Sequence, residues 1–350
     1  MKKRKVGAAR SNGKAGKDLV VIGASAGGIE AVTQLVSKIP ADLPIALFVV
    51  IHISKRSIPA VIVNQLQKNT KYQCLIAKDG DEIKAGYLYL APPDVHLLIK
   101  KGCMRLINGP HENYWRPSID VLFRSAAASY DSHVIGIILS GMLDDGTSGM
   151  SAVSRSGGIS IVQEPSEAAF MDMPVSVLNN VDVDYRVSIR DMGYVIDDIL
   201  SKPAQKDKPI PEDVKIEADI TERMVSHIET LDKIGERSNF SCPDCGGGLW
   251  KIKTEAAGRY RCFTGHVYTE KLLLEKQGEG IEESLWVSIR MMEERRNLLL
   301  NMAWHSKDNS IAYDDYCRRA DLMNIHIDRL KELLSSAGKP DHSNMEQREA

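Results

Sequence analysis

The first residue able to do chemistry is a serine in the segment VVIGASAGGIEAV at 20–32. Gly23-Ala24-Ser25-Ala26-Gly27 fits G-x-S-x-G. An apolar strand ends at Gly23, a helix starts near Gly28, and the small residues between permit a sharp turn that lifts the hydroxyl clear of a sheet. The helix start just beyond supplies unpaired N–H groups and a positive dipole end, which suit an oxyanion. The same glycines could cradle a phosphate, but the G-x-G-x-x-G spacing is absent, and the next strand ends in His52 rather than a ribose-binding acid. His52 closes FVVIHIS, and Asp144 and Asp145 follow another apolar run in LSGMLDDGTSGM. A nucleophilic serine needs a base, and the base needs an acceptor for its other ring N–H. Taken singly, the histidine could be a core residue and the aspartates turn caps. Three strand ends supplying Ser, His and Asp make a stronger case together.

A second constellation is Cys242-Pro-Asp-Cys245 followed by Cys262 and His266. C-x2-C…C-x3-H offers three thiolates and one imidazole, the tetrahedral set that zinc prefers. Four protein ligands leave no open position, so the expected role is structural. Redox chemistry at the C-x2-C pair is the alternative, weakened by the matching second half. A two-stranded segment (249–253 and 259–261) would join the knuckles, with Trp250, Tyr260, Phe263 and Tyr268 as a small core.

The elements that must position these groups are legible from residue pattern. Runs at 19–22, 45–51, 87–91 and 134–139 read as strands, three of them nearly continuous in apolar residues, which suits strands covered on both faces. Stretches at 29–39, 58–67 and 119–130 have helical spacing. The expected fold is therefore α/β, a doubly wound, mostly parallel sheet with helices on both faces. A small zinc ribbon and a C-terminal helical hairpin should follow it. In the hairpin, Ile281, Leu285, Ile289, Met292, Leu299 and Ala303 share one face, interrupted by Arg296, and Tyr316, Ala320, Met323, Ile327, Leu330 and Leu334 form the facing seam. The expected organisation is a disordered basic tail at 1–17, a catalytic domain at 18–199, a linker at 200–220, the ribbon unit with a preceding helix at 221–270, the hairpin at 271–338, and a disordered end at 339–350. The linker rests on three prolines and many charges in 201–220.

Hydrophobic residues make up 43% of the 350 and charged residues 26%, as in a globular protein, and the formal net charge is −2. Such a balance gives no global attraction to nucleic acid. The seven cationic residues before Asp18 could form a short arm, but no nucleic-acid partner is expected. No apolar run is long enough to span a bilayer, and no secretory signal is expected. Scattered Cys74, Cys103 and Cys317 beside one clustered set point to a cytoplasmic chain with one metal site.

At this point the residues resemble a known family. Segment 18–199 is similar to the catalytic domain of the bacterial chemotaxis-receptor methylesterases (CheB type). It carries GASAGG at 23–28, His52, DGDEIKAGYLYLAPPDVHL at 79–97 and WRPSIDVLFRSAA at 115–127. GIILSGMLDDGTSGM at 136–150, SGGISIVQEPSEA at 156–168 and Met173-Pro174 complete the set. The resemblance implies Ser25 as nucleophile, His52 as general base, Asp145 as its orienting acid, and the Met142 N–H as an oxyanion donor. It further implies hydrolysis of glutamate methyl esters on chemoreceptor-like signalling proteins without a catalytic cofactor, and permits glutamine deamidation. Three departures stand out. Ala26 takes a place where the family often has a hydroxyl residue. Leu143 replaces a glycine, which keeps Asp144 as an alternative acid. Only a basic tail precedes the first strand where the family's phospho-acceptor receiver domain usually stands, so activity independent of phosphorylation is expected. Residues 201–336 would then supply control or targeting through a flexible tether. The competing reading is a catalytically idle adaptor that binds a partner through ribbon and hairpin.

Overall fold

A computed structural model describes residues 19–202, 208–224, 227–254 and 258–337. The basic tail expected at 1–17 and the end expected at 339–350 lie outside the described residues. Residues up to Glu270 form one compact unit and those from Lys271 a second.

The first unit is built on a seven-stranded sheet. Its strands are β1 (Leu19–Ala24), β2 (Ala46–Ile51), β3 (Gln73–Ile76), β4 (Tyr87–Leu90), and, after a separate antiparallel hairpin of β5 (His96–Lys100) and β6 (Cys103–Ile107), β7 (Val134–Ile138), β8 (Ile159–Gln163) and β9 (Tyr185–Val187). The order is β3-β4-β2-β1-β7-β8-β9, and each neighbouring pair is parallel. Six consecutive buried residues in β1 and six in β2 follow from that arrangement, because both faces are covered. Alternate side chains serve opposite layers. Val21 and Phe48 pack with α3 (Ile119–Tyr130), α4 (Thr147–Arg155) and α5 (Asp172–Asn180), while Ile22 and Val49 pack with α1 (Gly28–Lys38), α2 (Pro59–Gln67) and α6 (Ile189–Ser201).

The chain moves from β1 outward through β2 and then returns to place β7 on the other side of β1. This is the topological switch point of the sheet, where the loops leaving neighbouring strands diverge and open a crevice at their carboxyl ends.

The expected linker requires correction. Glu212–Arg223 is a helix, α7, packed against α3. Val214, Glu217, Ile220 and Thr221 make its buried stripe, and Glu217 within that stripe is paired with arginines rather than solvated. A charged residue at the buried position hides the helix from a hydrophobic-pattern reading. The helix expected ahead of the ribbon, from 221 on, is also different: Thr221 belongs to α7, which is capped at Met224 with φ 60°, and a separate short α8 spans Ile228–Ile234.

The ribbon has four antiparallel strands in order β10 (Gly235–Ser241), β11 (Gly248–Ile252), β12 (Arg259–Cys262) and β13 (Val267–Thr269), where two were expected. Trp250, Tyr260 and Tyr268 are buried as anticipated, but Phe263 is exposed and does not belong to the core. In the second unit α9 (Glu270–His305) and α10 (Ser310–Ala337) form the antiparallel hairpin. Ile289, Leu299, Ala303, Ala320 and Ile327 fill its seam. Arg296, the interruption in the first stripe, donates to Asn324 across the hairpin at 3.0 Å. Ile281 is exposed, contrary to its expected place in the seam.

Candidate active site

Ser25, His52 and Asp145 follow β1, β2 and β7, three adjacent strands. Ala24 and Ile51 are register partners, and the His52 N–H donates to the Ala24 carbonyl at 3.1 Å, so Ser25 and His52 leave the sheet side by side. The turn at Ser25 is held from below by its own N–H on the Ser140 carbonyl at 3.0 Å, and from ahead by the Gly28 N–H on the Ser25 carbonyl at 2.8 Å. Gly27 sits at φ 71°, and a Cβ there would lie 2.9 Å from Ala169 Cβ, which explains why the turn needs glycine.

His52 lies flat against Trp115, with ring centroids 4.0 Å apart and planes 9° from parallel. Its Nε2 is 2.9 Å from Asp145 Oδ2, and neither side chain is exposed beyond 1%. Its buried Nδ1 has no hydrogen-bond partner among the described residues. The carboxylate thus fixes the tautomer with the proton on Nε2 and leaves Nδ1 with a lone pair to receive one.

Asp145 is held by the start of α3. Ile119 N–H donates to Oδ2 at 2.7 Å, and Ser118 Oγ, at 2.9 Å, and Asp120 N–H, at 3.3 Å, donate to Oδ1. Asn113 Nδ2 adds a further donor at 3.3 Å. The acid therefore caps α3, and the positive dipole end favours its negative charge. Asp120 returns the arrangement: its Oδ1 accepts from the N–H groups of Gly146 and Gly149 at the start of α4, at 2.9 and 2.6 Å. Burial, and then the Asp145 charge, push the Asp120 carboxyl well above its usual range. Asn113 Nδ2 bridges the two carboxyls, reaching Asp120 Oδ2 at 2.7 Å. Asp144 offers its carbonyl to the Thr147 N–H at 3.2 Å, whereas the carboxylate on His52 is that of Asp145.

The loop after β7 lies against the serine. A Cβ on Gly141 would stand 2.9 Å from Ser25 Cβ and 2.0 Å from Met173 Sδ, so only glycine fits. Met142 is 48% exposed, and neither its N–H nor that of Ala26 has a partner among the described residues. Leu143 adopts φ 64°, the left-handed conformation that the family's glycine would take without strain.

Several contributors were not singled out by residue pattern. Trp115, Ser118 and Asp120 fall within the quoted segment WRPSIDVLFRSAA, and the Ser-x-Asp before an apolar helix was a readable capping signal. His96 is wholly buried. Its Nδ1 accepts from the Ser118 N–H at 3.2 Å and its Nε2 donates to the Pro110 carbonyl at 2.8 Å, a neutral tautomer. Burial pushes its pKa down. Asn113 and Glu112 carried no sequence signal.

The cysteine set also converges. The four ligand atoms of Cys242, Cys245, Cys262 and His266 lie within 4.8 Å of one another. Cys245 Sγ is 3.8 Å from Cys262 Sγ, and His266 Nδ1 is 3.5 Å from Cys262 Sγ and 3.7 Å from Cys242 Sγ. A tetrahedron with zinc–sulfur bonds of ~2.3 Å has edges of ~3.8 Å, so these separations fit. The Tyr268 hydroxyl stands 3.1 Å from Cys242 Sγ and donates to Asp244 at 2.7 Å, completing an outer shell.

Comparison with known proteins gives the family of the segment that carries these residues. The family model described as CheB methylesterase matches residues 20–196. A protein of Leptospira interrogans named putative protein-glutamate methylesterase/protein-glutamine glutaminase is 38% identical over 173 residues, covering 49% of this chain and 89% of that protein. The Trichodesmium erythraeum protein-glutamate methylesterase/protein-glutamine glutaminase is 36% identical over 170 residues, 46% of this chain and 47% of its own length. The solved catalytic domain of Thermotoga maritima CheB methylesterase aligns over its full length and 53% of this chain, with 28% identity and a TM-score of 0.51. The family match ends before the ribbon and hairpin.

Proposed function

The chain belongs to the CheB methylesterase family, and from that premise we propose that it hydrolyses glutamate methyl esters on chemoreceptor-like signalling proteins, with Ser25, His52 and Asp145 as its catalytic residues. The observation that carries this reading is the orientation of His52: Nε2 is committed to Asp145, and the free Nδ1 belongs to a ring that leaves the sheet beside Ser25.

His52 Nδ1 takes the Ser25 proton as Oγ attacks the ester carbonyl. The Ala26 and Met142 N–H groups receive the developing oxyanion. The imidazolium, stabilised by buried Asp145, then protonates the departing methanol. Water activated by the same nitrogen attacks the acyl-enzyme and releases the glutamate carboxylate. The stacked Trp115 ring keeps the imidazole plane fixed through both halves. Glutamine deamidation would use the same groups with ammonia as the leaving molecule. No catalytic cofactor enters these steps.

Zinc is the metal that the Cys3His set would hold, because three thiolates and one imidazole at tetrahedral separations match its preference and leave no position for substrate. The substrate is reached from the cytoplasm. No helix among the described residues is long and apolar enough to cross a membrane.

The test is methanol release from methylated receptor preparations, run beside hydrolysis of a small aryl ester. Release from both supports the methylesterase. Silence on both, in folded protein, would favour the adaptor reading.

A further inference from the structure

Between the ribbon and the catalytic loops lies a contact that the esterase mechanism does not require of a separately tethered module. Strand β13 pairs with the segment 111–113: the Asn113 N–H donates to the Val267 carbonyl at 3.0 Å and the Val267 N–H to the His111 carbonyl at 3.4 Å. Beside this pairing sits a buried ionic cluster. Arg124 of α3 donates to Glu112, and Arg261 of β12 stands 3.2 Å from the same carboxylate. Arg259, also of β12, donates to Glu217 of α7 at 2.6 Å. Burial alone would raise the Glu112 carboxyl, but Arg124 and then Arg261 outweigh it and hold it below the usual range.

The segment held in this way is a tight turn. Glu112 and Trp115 exchange backbone hydrogen bonds at 3.3 and 3.0 Å, and the two residues between them, Asn113 and Tyr114, have φ of 50° and 78°. Neither is glycine, and such a pair persists where surrounding contacts hold it. The ribbon supplies the β13 pairing and Arg261, beside Arg124 of α3 and the Thr221 hydroxyl of α7 on Glu112, and the turn presents both of its functional side chains to the catalytic groups. Asn113 bridges Asp145 and Asp120, and Trp115 stacks on His52. The boundary is tight. The cavity lined by Asn113, Asp120, Thr147 and Arg259 measures about 30 Å³, room for no more than a water or two.

The strand doing the holding is itself fixed by the metal set. His266 immediately precedes Val267, and the Cys262 N–H donates to the His266 carbonyl at 2.9 Å. Ribbons of this size, with few apolar residues, depend on their metal for order.

Resting on the esterase reading above, we propose that the metal-loaded ribbon is a built part of the catalytic site: through β13 it fixes the turn at 112–115, and Asn113 and Trp115 act as positioning residues for Asp145 and His52, so that turnover depends on the occupancy of a site that never touches substrate. Asn113 bridges two buried carboxyls, Asp120 and Asp145, and its removal leaves them facing each other without that donor between. A displacement of His52 or Asp145 by about 1 Å is enough to cost roughly a hundredfold in rate.

The test uses the full chain, purified without chelator, then stripped and reloaded with zinc. The loaded protein should carry one zinc per chain. On stripping, hydrogen exchange should rise over residues 110–118 while peptides from β1 and β7 stay protected. The kcat on a small ester should fall at least tenfold with KM within twofold, and zinc should restore it. Loaded Asn113→Ala should show a comparable fall in kcat, and stripping it should cost much less than stripping the wild type, because the two changes act on one link. Unchanged protection at 110–118 with kcat within twofold, or losses that simply multiply, would overturn the proposal. So would loss of protection throughout β1 and β7, or absence of bound metal. Exchange reads the coupling without variants and without turnover. A loaded protein that hydrolyses no ester, yet loosens at 110–118 on stripping, would retain the coupling and reject the esterase reading instead.

Discussion

Replacing Asp145 by asparagine separates the catalytic charge from the structural cap. The carboxylate now receives five donors: His52 Nε2 and Ile119 N–H on Oδ2, and Ser118 Oγ, Asp120 N–H and Asn113 Nδ2 on Oδ1. An amide keeps one acceptor. With its oxygen toward His52 it preserves the tautomer but brings an NH2 group against three donors, of which only the Ser118 hydroxyl can rotate to accept. With its nitrogen toward His52 it reverses the tautomer and places a proton on Nδ1, where the Ser25 proton must go. Either way the negative charge beside the imidazolium is gone. Loss of that charge and tautomer control in a serine triad costs roughly 10³–10⁴ in kcat, or about 4–5.5 kcal/mol. Stability should move much less. Losing the charge at the start of α3 costs about 1–2 kcal/mol, and relief of the repulsion that raises Asp120 offsets part of it. Steady-state hydrolysis of an aryl ester, with a thermal melt, should therefore show a collapse in kcat and a shift of only a few degrees. Asp144→Asn should stay within about threefold of wild type, since the carboxylate on His52 is that of Asp145. A folded Asp145→Asn enzyme within tenfold of wild type, or an inactive Asp144→Asn enzyme, would refute the assignment.

Glu217→Ala should cost about 3–5 kcal/mol in chemical denaturation, because it removes from the interior a carboxylate that Arg259, Arg124 and Arg261 face at 2.6, 3.3 and 3.6 Å and leaves their buried positive charge less compensated. Leu143→Gly should stabilise the protein by up to about 1 kcal/mol, since it relieves the left-handed φ of 64°, with activity on a small ester unchanged. His96 binds its proton less readily folded than unfolded. Its contribution to stability is therefore complete above the unfolded pKa near 6.5 and is lost as pH falls below it. His96→Gln, whose amide can still donate to Pro110 and accept from Ser118, should flatten the stability profile just below that pH in equilibrium unfolding.

The catalytic half was legible because its elements carry strong local signals. Continuous apolar runs in β1, β2 and β7 announced buried parallel strands, and glycine at 23, 27 and 28 around one serine announced the turn. Short strands such as β9, with its mixture of exposed and half-buried residues, gave no comparable periodicity. Helix α7 was hidden for a different reason. Its buried stripe includes Glu217, and a charge counts as surface until the arginines that neutralise it, 42 and more residues away in sequence, are known. The choice between Asp144 and Asp145 could not be made from residue pattern, because it depends on which carboxylate reaches the start of α3. The same holds for Asn113 and Trp115, whose roles exist only once β13 has paired with their turn.

The most direct measurement of the central claim is methanol release from methylated receptor by wild type and Ser25→Ala side by side. The account predicts steady release by the wild type and a loss of at least a thousandfold in the variant, with the fold intact by circular dichroism. Release by folded Ser25→Ala within tenfold of wild type would contradict it.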